Sequence, residues 1–143
     1  MFISEAELKT VSTAEIINLI TNNDEDIVST IIEECTEVMH TYLFKYYDAD
    51  AIFSATGEDR KKIIMKYLKD LVIYEIYMRR SKQANAVVEK RQEEAMLWLE
   101  KVAKGEIVPD LPKKMVDTDD DGEVDAAATF MKLGSKKSYK NHW

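Results

Sequence analysis

No proline stands before Pro109, and Pro112 follows it closely. Proline breaks helix interiors because it removes an N–H and clashes with the preceding turn. The first hundred residues are therefore free to form long helices. Glycine, the other common interruption, occurs only four times in 143 residues.

The apolar pattern in that window has a helical period. From about Glu25 to Tyr46, Val28, Ile31, Ile32, Cys35, Val38, Met39, Tyr42, Leu43 and Tyr46 recur at spacings of three and four, a single broad stripe. Asp48-Ala49-Asp50-Ala51 ends this helix. The stretch to Ser54 reads as a loop lying on the body through Ile52 and Phe53. Thr56-Gly57-Glu58-Asp59 starts a second helix, to about Arg79. Its apolar residues (Ile63, Ile64, Tyr67, Leu68, Leu71, Val72, Tyr74, Ile76, Tyr77, Met78) cover more than one face, as suits a central helix. A third, from about Asn85 to Lys104, turns Val88, Arg91, Ala95, Trp98, Leu99 and Val102 inward and stops at Gly105. Ahead of these, Ser4-Glu5-Ala6-Glu7 and Ser12-Thr13-Ala14-Glu15 match the capping-box pattern and predict short helices near 5–9 and 13–21. No strand pattern is evident. The expected fold is all-α: a small bundle of three long helices plus short N-terminal helices (residues 1–112), with an extended C-terminal arm (residues 113–143).

Charge separates the two parts. The chain has 27 acidic and 20 basic residues, a net charge of −7. The arm holds six acids (Asp117, Asp119, Asp120, Asp121, Glu123, Asp125) and six lysines (Lys113, Lys114, Lys132, Lys136, Lys137, Lys140), so the whole imbalance belongs to the body. An acidic body argues against affinity for a phosphate backbone, which comes from Lys and Arg neutralising phosphates. It does not forbid DNA passing nearby, because like charge keeps a polyanion from sticking. The start has no basic-then-apolar leader, and no apolar run approaches the ~20 residues that span a bilayer, so an intracellular, non-membrane protein is expected.

Reactive chemistry is sparse. His40 and His142 lie far apart, and neither has neighbours at metal-ligand spacing. Adjacent Glu33 and Glu34 point to different parts of a helix surface, which suits a solvated face better than a carboxylate dyad. Cys35 falls on an apolar stripe and reads as a small buried hydrophobe. Tyr67, Tyr74 and Tyr77 read as core and interface packing. No phosphate loop, nucleophile elbow or paired-cysteine motif is present, so the chain does not read as an enzyme.

The arm carries two patterns. From Asp117, an EF-hand count places oxygen donors at Asp117, Asp119, Asp121, the Glu123 carbonyl and Asp125, with Gly122 at the sixth position. The twelfth position is Ala128, so the bidentate carboxylate is missing. The loop is either a weak calcium site or a solvated acidic linker. Beyond it, Phe130 and Leu133 are apolar, Gly134 and Ser135 permit a bend, and Lys136, Lys137 and Lys140 are interleaved with Tyr139 and Trp143. A basic, aromatic end attached to an acidic body is complementary to another copy of that body, and Trp and Tyr are common interface anchors. These residues are the candidate partner-binding set.

Taken together, the helix ending Leu71-Val72-Ile73-Tyr74-Glu75-Ile76-Tyr77-Met78-Arg79-Arg80, the run Ala95-Met96-Leu97-Trp98-Leu99 with its stop Ala103-Lys104-Gly105, the start Ile3-Ser4-Glu5-Ala6-Glu7-Leu8 and the end Leu133-Gly134-Ser135-Lys136-Lys137 resemble the head–tail connector (adaptor) proteins of tailed phages, including the Mu-like branch. The resemblance implies a structural virion protein, assembled in the bacterial host cytoplasm. It implies a homo-oligomeric ring of roughly twelve copies, closed by a repeated heterologous interface. That ring would sit between the portal protein and the next tail or connector component, with packaged DNA passing through without sequence-specific binding. It implies neither a cofactor nor a membrane. The alternative from a different class is a small calcium-dependent helical protein-interaction module working through the Asp117 loop.

Overall fold

The computed structural model describes residues 2–10, 25–80 and 85–115. The helix expected over 13–21, the acidic loop and the basic tail lie outside the described residues. Within them, four α-helices follow a short 3-10 helix at Glu5–Thr10: α1 (Glu25–Leu43), α2 (Ala49–Ser54), α3 (Lys62–Arg80) and α4 (Ala86–Lys104). The three long helices are α1, α3 and α4. Each packs on the other two, with α3 and α4 in the most extensive contact, and the all-α bundle expected from the periodicity is what forms.

The apolar stripes become the core. Val28, Ile31, Ile32, Cys35, Met39 and Leu43 of α1 meet Ile64, Leu68, Leu71, Val72, Ile73 and Ile76 of α3 and Val88, Ala95, Trp98, Leu99 and Val102 of α4. Each such aliphatic side chain contributes about 1.5–3 kcal/mol relative to an exposed one. Tyr67 stacks on Trp98 with ring centroids 4.8 Å apart, which ties α3 to α4. Three stripe positions face outward instead. Val38 is 45% exposed and Ile63 41%, each at the margin of its stripe. Arg91 sits on the surface and points its guanidinium at Asp70 of α3 rather than into the core.

Helix ends follow local chemistry. The Asn85 side chain accepts the Val88 N–H at 2.9 Å as the N-cap of α4. Gly105 closes α4 in the left-handed region (φ 81°), its N–H donating to Val102 O, and a side chain there would be strained. The Ser4 N–H donates to Glu7 Oε2 at 2.8 Å, one half of the expected capping box. Two boundaries differ from expectation. Residues 49–54 form a short helix rather than a loop, because Asp48 accepts the Ala51 N–H and caps a new turn while Ala49 and Ile52 are buried. The motif Thr56–Asp59 makes its own 3-10 turn at Gly57–Asp59, and α3 begins only at Lys62, after Arg60 takes an extended backbone.

Both ends of the described body are pinned to it. Arg60 clamps the N-terminal segment: Nη1 donates to Phe2 O (2.8 Å) and Glu7 Oε2 (3.0 Å), and Nη2 to Glu7 Oε1 (2.7 Å). At the other end Leu111 is buried, Asp48 N–H donates to Pro112 O, Lys114 N–H donates to Tyr46 O, and Lys113 pairs with Tyr47 in an antiparallel bridge. The last described residues therefore lie beside the C-terminal end of α1.

Candidate assembly surfaces

Along α1, Glu33, Glu37, His40 and Phe44 follow one another at spacings of four, three and four, which places them on one face. Two distant aromatics come alongside. The Phe2 ring meets Phe53 edge-on with centroids 5.3 Å apart, and Phe53 lies over His40 at 6.3 Å. His40 in turn stacks near Phe44 at 6.0 Å, and Lys114 Nζ sits 4.1 Å over the Phe44 ring. His40 Nε2 is 3.1 Å from Asp50 Oδ1, so α2 holds the imidazole in place. A groove of about 460 Å³ opens beside this ladder, with Phe2, Ile32 and Phe53 on its apolar side and Glu33, Glu34 and Glu37 on its acidic side. Glu34 is paired with Arg79 at 2.9 Å. Glu33 and Glu37 have no ion partner among the described residues.

A surface of opposite sign runs along α3. Two depressions of about 230 and 380 Å³ share Lys66 and Lys69, with Arg60, Lys62 and Glu58 in the first and Arg91, Asp70 and Glu94 in the second, so that cations outnumber carboxylates in both. Within this surface lies Asp70, only 4% exposed, with Lys66 Nζ at 3.6 Å and Arg91 Nη1 at 3.8 Å. Burial pushes its pKa up, and the two cations pull it back toward the ionised form. The N-terminal segment borders both surfaces, Phe2 on the acidic groove and Thr10 on the basic depression.

The remaining titratable features are structural. Arg60 holds the Glu7 carboxyl down at about 2, chiefly by its hydrogen bonds. Burial pushes the Cys35 thiol up to about 12, the behaviour of the inert core residue expected from its stripe. Glu33 and Glu34 are both exposed, and Tyr67, Tyr74 and Tyr77 are half-buried against the core. Among the described residues no group of three or more His, Cys, Asp or Glu is arranged to hold a metal ion. None of their helices is long and apolar enough to cross a membrane.

The residues singled out in the arm are not among those described. Asp117, Asp119, Asp121, Glu123 and Asp125, and Phe130, Leu133, Gly134, Ser135, Lys136, Lys137, Tyr139, Lys140 and Trp143, all lie outside the described residues. What sequence reasoning missed is the groove, the His40–Asp50 pair and the buried Asp70. Only the last left a local signal, since Lys66 stands one helical turn before it.

The described residues thus form a small helical body with two unlike charged surfaces. Residues 2–128 match the family described as Bacteriophage Mu, Gp36, and the chain belongs to that family. It is thus a small all-helical phage protein, consistent with a structural, non-enzymatic role, and the Mu-like resemblance is borne out. Comparison with curated proteins and with solved structures gave no match.

Proposed function

We propose that this protein is a virion head–tail connector. Copies form a ring between the portal protein and the next tail or connector component, and packaged DNA passes through the ring without sequence-specific contact. The observation that carries this reading is the family match over residues 2–128, taken with an acidic groove and a basic face on one chain. A ring interface is heterologous: each copy must offer two different patches that complement one another. The negative charge of the body disfavours adhesion of DNA, as a conduit requires.

In this reading the arm is the fastener. Phe130, Leu133, Tyr139 and Trp143 supply anchors, Lys136, Lys137 and Lys140 supply charge complementary to the body, and Gly134-Ser135 lets the segment bend onto its seat. The test is retention by the portal ring of the same phage. Purified portal mixed with this protein, then imaged and weighed, should gain a symmetric collar of added mass. A portal that emerges unchanged, with the protein also absent from purified virions by mass spectrometry, would overturn the reading. Removal of residues 130–143 should weaken the collar, and unchanged assembly would remove the arm from the mechanism.

A further inference from the structure

We infer that the groove beside α1 is the seat for the terminal Lys136–Trp143 segment of a second copy of this chain; the inference rests on the connector reading and names where its fastener closes. Three observations carry it. The first is charge. After Asp125 the sequence has four lysines and neither Asp nor Glu, while the groove presents Glu33 and Glu37 without ion partners among the described residues. The basic face of α3 would repel the same segment, so the groove is selected over it.

The second is chemistry. The segment interleaves Lys with Tyr139 and Trp143, and the groove sets carboxylates opposite the Phe2 and Phe53 rings. An aromatic anchor lies against the ring wall while the flanking ammonium groups meet Glu33 and Glu37. A volume of about 460 Å³ accommodates an indole and a lysine stem.

The third is reach. Lys113 and Lys114 are held at Tyr46 and Tyr47, close to Phe44 and on the same helix as the groove. Glu37 lies only about 10 Å from Phe44 along that helix. Residues 116–135 intervene before the lysines, and a chain of that length extends to about 70 Å. That is far more than a return to the same copy needs, and it is long enough to carry the segment to a neighbouring copy.

The full-length chain tests this without the portal. Equal amounts of isotopically light and heavy protein are mixed at high concentration and treated with a carbodiimide, which joins carboxylates to nearby lysines, and the cross-linked peptides are sequenced by mass spectrometry. Expected are light–heavy links from Glu33 or Glu37 to Lys136, Lys137 or Lys140. E33K/E37K alone removes the carboxylates that the reagent needs, so the informative variant is the combined reversal: in E33K/E37K/K136E/K137E, light–heavy links between positions 33 or 37 and 136 or 137 should return to the wild-type yield with carboxylate and amine exchanged. The exposed glutamates lie outside the core, so unchanged thermal melting of E33K/E37K verifies that the fold is intact. Links confined to one isotope, absent altogether from wild type, or not restored in the combined reversal would overturn the assignment. Retention on the portal is a separate readout: if wild type joins the portal and the links are missing, the groove assignment fails while the connector reading stands. If the links form and the portal is ignored, the reverse holds.

Discussion

Two leucines on α4, two positions apart, face opposite environments, and this makes a sharp test of the packing. Leu99 is 0% exposed, whereas Leu97 is 51% exposed. Leu99→Ala removes three carbons from a fully buried site, about 2.4 kcal/mol of transfer free energy at about 0.8 kcal/mol per methylene. The surrounding helices cannot collapse fully, so a cavity term brings the cost to about 3–4 kcal/mol. For a domain of roughly 100 residues that is a fall in Tm of about 12–16 °C. Leu97→Ala gives up about half of its transfer term, and alanine returns a few tenths of a kcal/mol through helix propensity, so the net cost stays below about 1 kcal/mol. Thermal and urea unfolding followed by far-ultraviolet circular dichroism measure both, with the denaturant slope held constant as the sign that the unfolded state has not changed. Comparable losses from the two substitutions would refute the orientation of α4. Because Leu97 is expendable for folding, any defect of Leu97→Ala in portal retention is assigned to contact with a partner.

Four further outcomes are expected. Asn85→Ala removes the side-chain acceptor for Val88 N–H and should cost about 1 kcal/mol in urea unfolding, with Asn85→Ser close to wild type. Glu7 titrates at about 2 in the fold against 4.5 for the free side chain, so its contribution is complete above about pH 4.5 and is lost as pH falls toward 2; the difference in denaturation midpoint between wild type and Glu7→Gln should close over that interval. Cys35, buried and with its thiol pushed up to about 12, should resist an aromatic disulfide reagent at pH 8 in the native state and react at once in denaturant. Since Ala128 stands where an EF-hand loop needs its bidentate carboxylate, calorimetry should give no calcium heat below about millimolar metal.

The bundle was legible in the sequence because long helices announce themselves twice, by period and by punctuation. Asn85 and Gly105 bracket α4 where the pattern put them, and the stripes of α1 and α3 became the core apart from Val38 and Ile63 at their margins. Helix α2 was not legible. Six residues make too few turns for an apolar period to emerge, and Asp48-Ala49-Asp50 reads equally well as a stop for one helix and a cap for the next. Tertiary packing decided between them by burying Ala49 and Ile52.

The groove shows why surfaces are harder to read than cores. Its acidic side is local: Glu33 and Glu37 share a face of α1, and Glu33 and Glu34 are exposed, as a solvated face requires. Its aromatic side is not local, because Phe2 and Phe53 reach it from the N-terminal segment and from α2. Phe2 arrives there because Arg60, at the foot of α3, grips the Phe2 carbonyl and both oxygens of Glu7. An ion pair that looks purely structural therefore positions one wall of the groove. The consequence separates two roles that a binding defect alone would merge. Arg60→Met should loosen residues 2–10 and abolish the Glu33–Lys136 type of cross-link while α1, α3 and α4 keep their amide protection in hydrogen exchange. Exchange protection lost throughout the three long helices would instead make Arg60 a determinant of the whole fold. Cross-linking preserved with residues 2–10 freely exchanging would mean that the Phe2 wall is dispensable to the seat.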